Sequence, residues 1–499
     1  MSSENLKSPS RRNLLKSAAG IGLVSLFQVW QVRQAHAVGS VDVVAGPYGP
    51  VAPVKDLTTG LELLQLPADF HYRSFGWTGD VMSNGEPCPG SHDGMAVVTE
   101  RVVPGVGAET VLIRNHERGL GSLIGAPAQY DTAFINFGSS SGYPAGGNTL
   151  LVFRGRQWVE VSPALGGTVV NCAGGPTPWA SWLTCEETLA DLRPLGGQKH
   201  GYVFEVRANP AETTGNPIVG MGRMSHEAAA VDPAAKNVYL TEDNRNRAGL
   251  YRYVPADTSG LPGSLEHGGR LQAARVKNTP NADLNVADTG QGYEIEWVDI
   301  DDPDANPGAF SDATVTGTAS GPFLQARGQG CLRMARGEGL WHHAGKIFIV
   351  DTATGRDGGN RPGMGDGAVW VLDLNTMRLK ALFVSENRLA ANNPDNVTVS
   401  PRGGVVLCED GGGVNDAFGF GERLLGLAQT GDSYIFCKNN ANLSAGDIAG
   451  AGKSVAPGDY RGREFAGVCF DPKGHVMFVN MQSPGITYAI WGPWAKGNL

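Results

Sequence analysis

Neither a membrane span nor a basic tract is available to this chain of 499 residues. Its one modest apolar stretch, residues 18–32, is shorter and more interrupted than the roughly 20 residues a spanning helix needs, and nothing later approaches one. Lys and Arg number 40 against 49 Asp and Glu, for a net charge of −9. An acidic balance without basic runs argues against nucleic acid as a specific partner and against anionic membrane as an anchor. Cysteine is scarce and scattered: Cys88, Cys172, Cys185, Cys331, Cys408, Cys437 and Cys469 show no pairing or zinc-type spacing, which excludes a disulfide scaffold. A Walker loop, a strand-linked GxGxxG and a GxSxG elbow are also missing, so phosphoryl transfer from nucleotides and serine hydrolysis lose their usual signatures. Long helical periodicity is rare, whereas 71 Gly and 30 Pro punctuate short strand-like runs.

The first residues read as an address. Ser10-Arg11-Arg12-Asn13-Leu14-Leu15-Lys16, the apolar stretch and Ala35-His36-Ala37 form a twin-arginine signal with its cleavage site, spanning 1–37. One catalytic domain is expected over 38–499, monomeric and periplasmic or secreted, with the twin-arginine translocase its partner during export. Removing Lys7, Arg11, Arg12, Lys16 and Arg33 together with Glu4 moves the net charge from −9 to −13. That route carries proteins already folded, which favours a metal or cofactor protein.

What the chain does contain is a phrase repeated along its length. Glu227 leads through Val231-Asp232-Pro233 to Val238-Tyr239-Leu240-Thr241 and Glu242-Asp243. Asp395 leads through Ser400-Pro401 to Val405-Val406-Leu407-Cys408 and Glu409-Asp410, and Glu464 leads through Asp471-Pro472 to Val476-Met477-Phe478-Val479. Asn171 leads through Thr177-Pro178 to Ser181-Trp182-Leu183-Thr184 and Cys185-Glu186-Glu187. Recurrence of this kind marks an array, and four-stranded units around an axis make an all-β propeller. About six blades are expected, with loop and helical insertions over one face. The turns fall near Pro178, Pro233, Ala344, Pro401 and Pro472, and the double gap after Pro233 suggests a further unit within Arg252 to Pro322. Helix is expected only in patches such as Thr376 to Ala381 or Glu422 to Ala428, and Thr487 to Trp491 should close the ring against strands from the start of the chain.

If the phrase marks inner strands, Asp93, Asn115, Glu117, Cys185, Glu186, Glu227, Glu338, Asp395 and Glu464 converge on the axis. Carboxylates so placed repel one another unless cations neutralise them. An oxygen-rich set selects several Ca2+ ions, and a thiolate from Cys185 would add a softer metal such as iron. Arg336, two residues before Glu338, is the guanidinium best placed for a bound anion.

The order of His92-Asp93-Gly94-Met95, Asn115-His116-Glu117, Thr184-Cys185-Glu186-Glu187, His226-Glu227-Ala228, Arg336-Gly337-Glu338-Gly339, Pro394-Asp395-Asn396, Cys408-Glu409-Asp410-Gly411, Glu464-Phe465-Ala466-Gly467 and Asn480-Met481-Gln482-Ser483-Pro484-Gly485 resembles the PhoX-type alkaline phosphatases. The resemblance implies a secreted phosphomonoesterase that takes small phosphate esters, serves phosphate acquisition and carries an axial cluster of Ca2+ and Fe3+. It implies metal ligation by Cys185, Glu227, Glu338 and Glu464, with Arg336 near the phosphate and Cys185, Arg336 and Glu338 as the reactive group. Other hydrolysis on the same scaffold, of phosphodiesters or lactones, and a calcium-stabilised binding propeller are the alternatives.

Overall fold

The computed structural model describes residues 46–138, 140–428 and 430–499, so the expected signal at 1–37 lies outside the described residues. Six antiparallel blades surround one axis. Their inner strands are His92–Val103, Asn171–Pro176, His226–Val231, Gly337–His343, Pro394–Val399 and Phe465–Phe470, and each packs against the next until the sixth meets the first. Blade 6 has three strands of its own, and His71–Phe75 supplies the fourth by pairing with Ile486–Trp491. The ring is thus closed by the two ends of the chain, as the sequence suggested.

The strands form where β-branched and aromatic residues recur, and their buried faces meet between blades. Tyr251, Leu240 and Val203 fill the space between blades 2 and 3, and Val350, Phe383 and Leu407 that between blades 4 and 5. Two helix expectations fail: residues 378–384 and 423–427 are strands, because each is paired on both sides within a blade and tertiary pairing overrides a weak helical preference. The double gap hides no blade. Blade 3 ends with Gly269–Val276, and Gly292–Asp299 then pairs with that strand and with Arg378–Val384, joining blades 3 and 4 at their outer edges. The rest of the gap is a hairpin, Gly308–Ser311 with Thr316–Ala319, and the helix Gly321–Gly328.

One irregularity recurs in every blade. At the start of each inner strand a bulge sets two residues against one on the second strand: 93–94, 172–173, 227–228, 338–339, 395–396 and 467–468. The second bulged residue is small in the first four blades because the next inner strand is nearly in contact. A Cβ on Gly94 would stand 2.6 Å from the Cα of Ala173, and one on Gly339 would stand 2.7 Å from the carbonyl of Asp395. Blade 6 places Gly467 first in its bulge, at φ 62°, where a Cβ would stand 2.5 Å from the Met95 nitrogen. Gly467→Ala combines left-handed strain with backbone overlap, so it should destabilise the protein by about 3 kcal/mol or more in chemical denaturation. A variant as stable as the parent would show that the ring is looser than described.

Candidate metal centre

The bulges turn one side chain per blade toward the axis at one end of the ring. They are Asp93, Cys172, Glu227, Glu338 and Asp395, with Glu464 entering just before the inner strand of blade 6. A second tier comes from the residue that follows each second strand: Glu117, Glu187, Asp243, Thr352, Asp410 and Gln482. Ligand atoms lie within 4.8 Å of one another in four overlapping groups: Cys172, Glu187 and Glu227; Glu227, Glu338 and Asp395; Asp395, Asp410 and Glu464; and Asp93, Glu117 and Glu464. Shared members join them into one arc of eight carboxylates and a thiol.

Of the residues singled out in the sequence, the structure brings Asp93, Glu117, Glu227, Glu338, Asp395 and Glu464 together, with Arg336 beside them. It does not bring Cys185 or Glu186. Cys185 is the residue opposed to the bulge 172–173, so its side chain turns away from the axis. It is buried with Leu183, Val203 and Met224, and that burial pushes its thiol above the usual range. Glu186 turns away from the axis into the blade, accepting hydrogen bonds from His200 Nδ1 at 2.6 Å and from the N–H groups of Val169, Gly201 and Tyr202. Asn115 is structural too: its amide donates to the carbonyls of Cys172 and Ala173, tying blade 1 to blade 2 beneath the thiol. His116 and His226 are core histidines bonded to the carbonyls of Gly90 and Gly222.

The residues that sequence reasoning missed are Cys172, Glu187 and Asp410. The signal for the first was present. Asn171-Cys172-Ala173 matches His226-Glu227-Ala228 position for position, one residue before a small one. In the acidic pairs Glu186-Glu187, Glu242-Asp243 and Glu409-Asp410 it is the second member that reaches the axis. The first serves the fold, as Glu242 does with Tyr251 at 2.8 Å and Glu409 with Arg423 at 2.6 Å.

Electrostatics decide what the arc can hold. Burial and neighbouring carboxylates together hold Asp93, Glu187, Glu227, Glu338 and Glu464 far above the usual carboxylate range, and push Glu117 and Asp395 up to about 7. The Cys172 thiol, donating to Glu227 Oε2 at 2.7 Å, is raised by burial and by that carboxylate. Among the described residues Arg336 alone opposes this charge by direct contact, with Nε 2.8 Å from Asp243 Oδ1 and Nη2 3.2 Å from Glu338 Oε1. One guanidinium cannot balance eight carboxylates. The donor set therefore fits several cations, hard ones over most of the arc and a softer one where the thiol stands.

His200, between Glu186 and Asp131, supports this end of blade 2. Burial alone would lower its pKa, but Glu186 and Asp131 raise it to about 9. A raised pKa gives stability that is complete below the ordinary histidine value near 6.5 and is lost as pH rises through about 9. Unfolding free energy should therefore fall by on the order of 3 kcal/mol between pH 6 and pH 10, and His200→Gln should flatten that slope. An unchanged slope in the variant would assign the loss to other groups.

Residues 46–162 and 139–485 match the family model for alkaline phosphatase PhoX. Among solved structures, that of Pseudomonas fluorescens PhoX in complex with vanadate, described as a transition state analogue, is 16% identical. The alignment covers 92% of this chain and 99% of that one, with a TM-score of 0.61, and shows the same fold. A gluconolactonase from Xanthomonas campestris aligns at 10% identity over 92% of this chain and 99% of its own with a TM-score of 0.35, and virginiamycin B lyase from Staphylococcus aureus at 11% over 85% and 99% with 0.33. A search of curated protein sequences finds no match.

Proposed function

This chain belongs to the alkaline phosphatase PhoX family and is a phosphoric monoester hydrolase, and from that premise we propose that it works outside the cytoplasm, exported by the twin-arginine route, with calcium and iron at the propeller axis. The observation that carries the metal assignment is the arc itself, in which only the group of Cys172, Glu187 and Glu227 includes sulfur. Those three would hold iron, and Glu338, Asp395, Asp410, Glu464, Asp93 and Glu117 would hold calcium. When bound, the ions would supply positive charge against the phosphate and acidify water at the site.

The protein's own groups do the rest. Arg336, partly exposed to solvent and aligned by Asp243, presents a planar fork to the phosphate oxygens. Asp243 fixes the rotamer of that fork by accepting from its Nε at 2.8 Å. No side chain of the arc is suited to grip a particular leaving group, so recognition centres on the phosphate and many monoesters should serve. Among the described residues no helix is long and apolar enough to cross a membrane, and the ester substrate is taken from solution.

Purified protein supplied with calcium and iron should hydrolyse p-nitrophenyl phosphate at alkaline pH. Vanadate, which occupies the Pseudomonas fluorescens protein, should inhibit it competitively. Absence of turnover with both metals bound would sink the reading.

A further inference from the structure

The six blades differ at the axis in the residue that follows the second strand. Blade 1 presents Asp93 and Glu117, blade 3 Glu227 and Asp243, blade 5 Asp395 and Asp410, and blade 2 a thiol with Glu187. The acids of these sectors would hold the cations, except Asp243, which aligns Arg336. Blade 6 presents Glu464 with a neutral Gln482, whose amide is committed to Glu117 Oε2 at 2.6 Å. Blade 4 presents Glu338, which Arg336 contacts at 3.2 Å. In this blade the register position that carries an acid in blades 1, 2, 3 and 5 carries Thr352, directly after Asp351, which pairs with Gly337 at the start of the inner strand.

Thr352 is fastened to the backbone of Arg336. Its N–H donates to the carbonyl of Arg336 at 3.2 Å, while Asp351 accepts from the N–H groups of Ala335 and Arg336, and Asn393 Nδ2 holds the Thr352 carbonyl at 2.8 Å. The backbone is therefore fixed, but the hydroxyl enters no hydrogen bond among the described residues. Nor is it sealed in the core without a partner, as the hydroxyl of Thr398 is. A free hydroxyl at a position that is acidic in four of the blades, on backbone tied to that of Arg336, is a neutral donor for an anion.

We propose that Thr352 is a phosphate-binding residue of this enzyme, its hydroxyl donating to a phosphate oxygen in the blade 4 sector alongside Arg336. The proposal rests on the phosphatase reading. An acid at this position, as in blades 1, 2, 3 and 5, would set a further carboxylate against the phosphate, whereas threonine sets a neutral donor there.

The test uses the metal-loaded protein and two probes, p-nitrophenyl phosphate as substrate and inorganic phosphate as inhibitor. Thr352→Val keeps the shape and removes the donor, so KM and the inhibition constant of inorganic phosphate should both rise about 10- to 100-fold, with metal content and melting temperature unchanged. Thr352→Ser keeps the donor and should stay within about threefold of the parent. If the valine variant does not fold, Thr352→Ala carries the same expectation. Unchanged phosphate affinity in the valine or alanine variant, or an equal loss in the serine variant, would overturn the proposal. A parent enzyme without turnover would instead strike at the phosphatase reading.

Discussion

Cys172→Ala is expected to abolish iron binding and to lower phosphatase turnover by at least about 100-fold, while Cys185→Ala leaves both intact. A residue that merely supports a ligand costs 10- to 100-fold when lost, so a ligand itself should cost no less. Cys172 stands within reach of Glu187 and Glu227, and its sulfur has no other part in the fold beyond contacts to those same strands. Cys185 sits one strand further out in an apolar layer with Leu183 and Val203. Its truncation removes a small buried group and should cost about 1–2 kcal/mol of stability with no change in metal content. Bound iron per chain and turnover, measured on both variants, check the pair. Loss of iron from the Cys185 variant with retention in the Cys172 variant would reverse the assignment.

Removing the cations should have the second large effect, on the fold as well as the chemistry. Each ion present at a hundred times its dissociation constant stabilises the folded state by about 2.7 kcal/mol, and the arc offers several places. Chelation should therefore lower the melting temperature strongly and remove all turnover, and calcium with iron should restore both. The chelated protein should also acquire a pH dependence. Burial and mutual repulsion raise Glu117 and Asp395 to about 7, above an ordinary carboxylate near 4. A raised pKa means that their contribution is present below about 4 and is lost as pH rises through about 7. Melting of the chelated form should accordingly be lower at pH 8.5 than at pH 5.5, and adding cations should help most at the higher pH. A melting curve indifferent to chelator would show that the arc holds no ion that matters to the fold.

Much of the architecture was legible because the repeated phrase is itself the blade. Asp-Pro and Ser-Pro turns between β-branched runs mark the hairpin from inner to second strand, and Thr487 to Trp491 was recognisable as a closing strand. The hidden blade was an error of length. A long insertion after Gly269–Val276 adds a bridging strand at the outer edge, and spacing cannot distinguish that from a unit facing the axis.

Within the site, the acids that open inner strands were readable, since Glu227, Glu338 and Asp395 each begin a phrase. Errors arose where a single residue of register matters. Side chains alternate along a strand, so a bulge of one residue exchanges the faces on either side of it. That shift sends Cys185 into the core and Cys172 to the axis, and makes Glu187 rather than Glu186 the inward carboxylate of the cluster. No propensity in the sequence marks the bulge. Its trace is the small residue that follows the ligand, Gly94, Ala173, Ala228 or Gly339, which the crowding of neighbouring inner strands requires.

Anomalous scattering from crystals of the metal-loaded protein, recorded on both sides of the iron edge, tests the central claim most directly. The account predicts an iron signal among Cys172, Glu187 and Glu227 and calcium along the arc from Glu338 through Asp395, Asp410 and Glu464 to Asp93 and Glu117. An axis without metal, or iron held at Cys185, would contradict it.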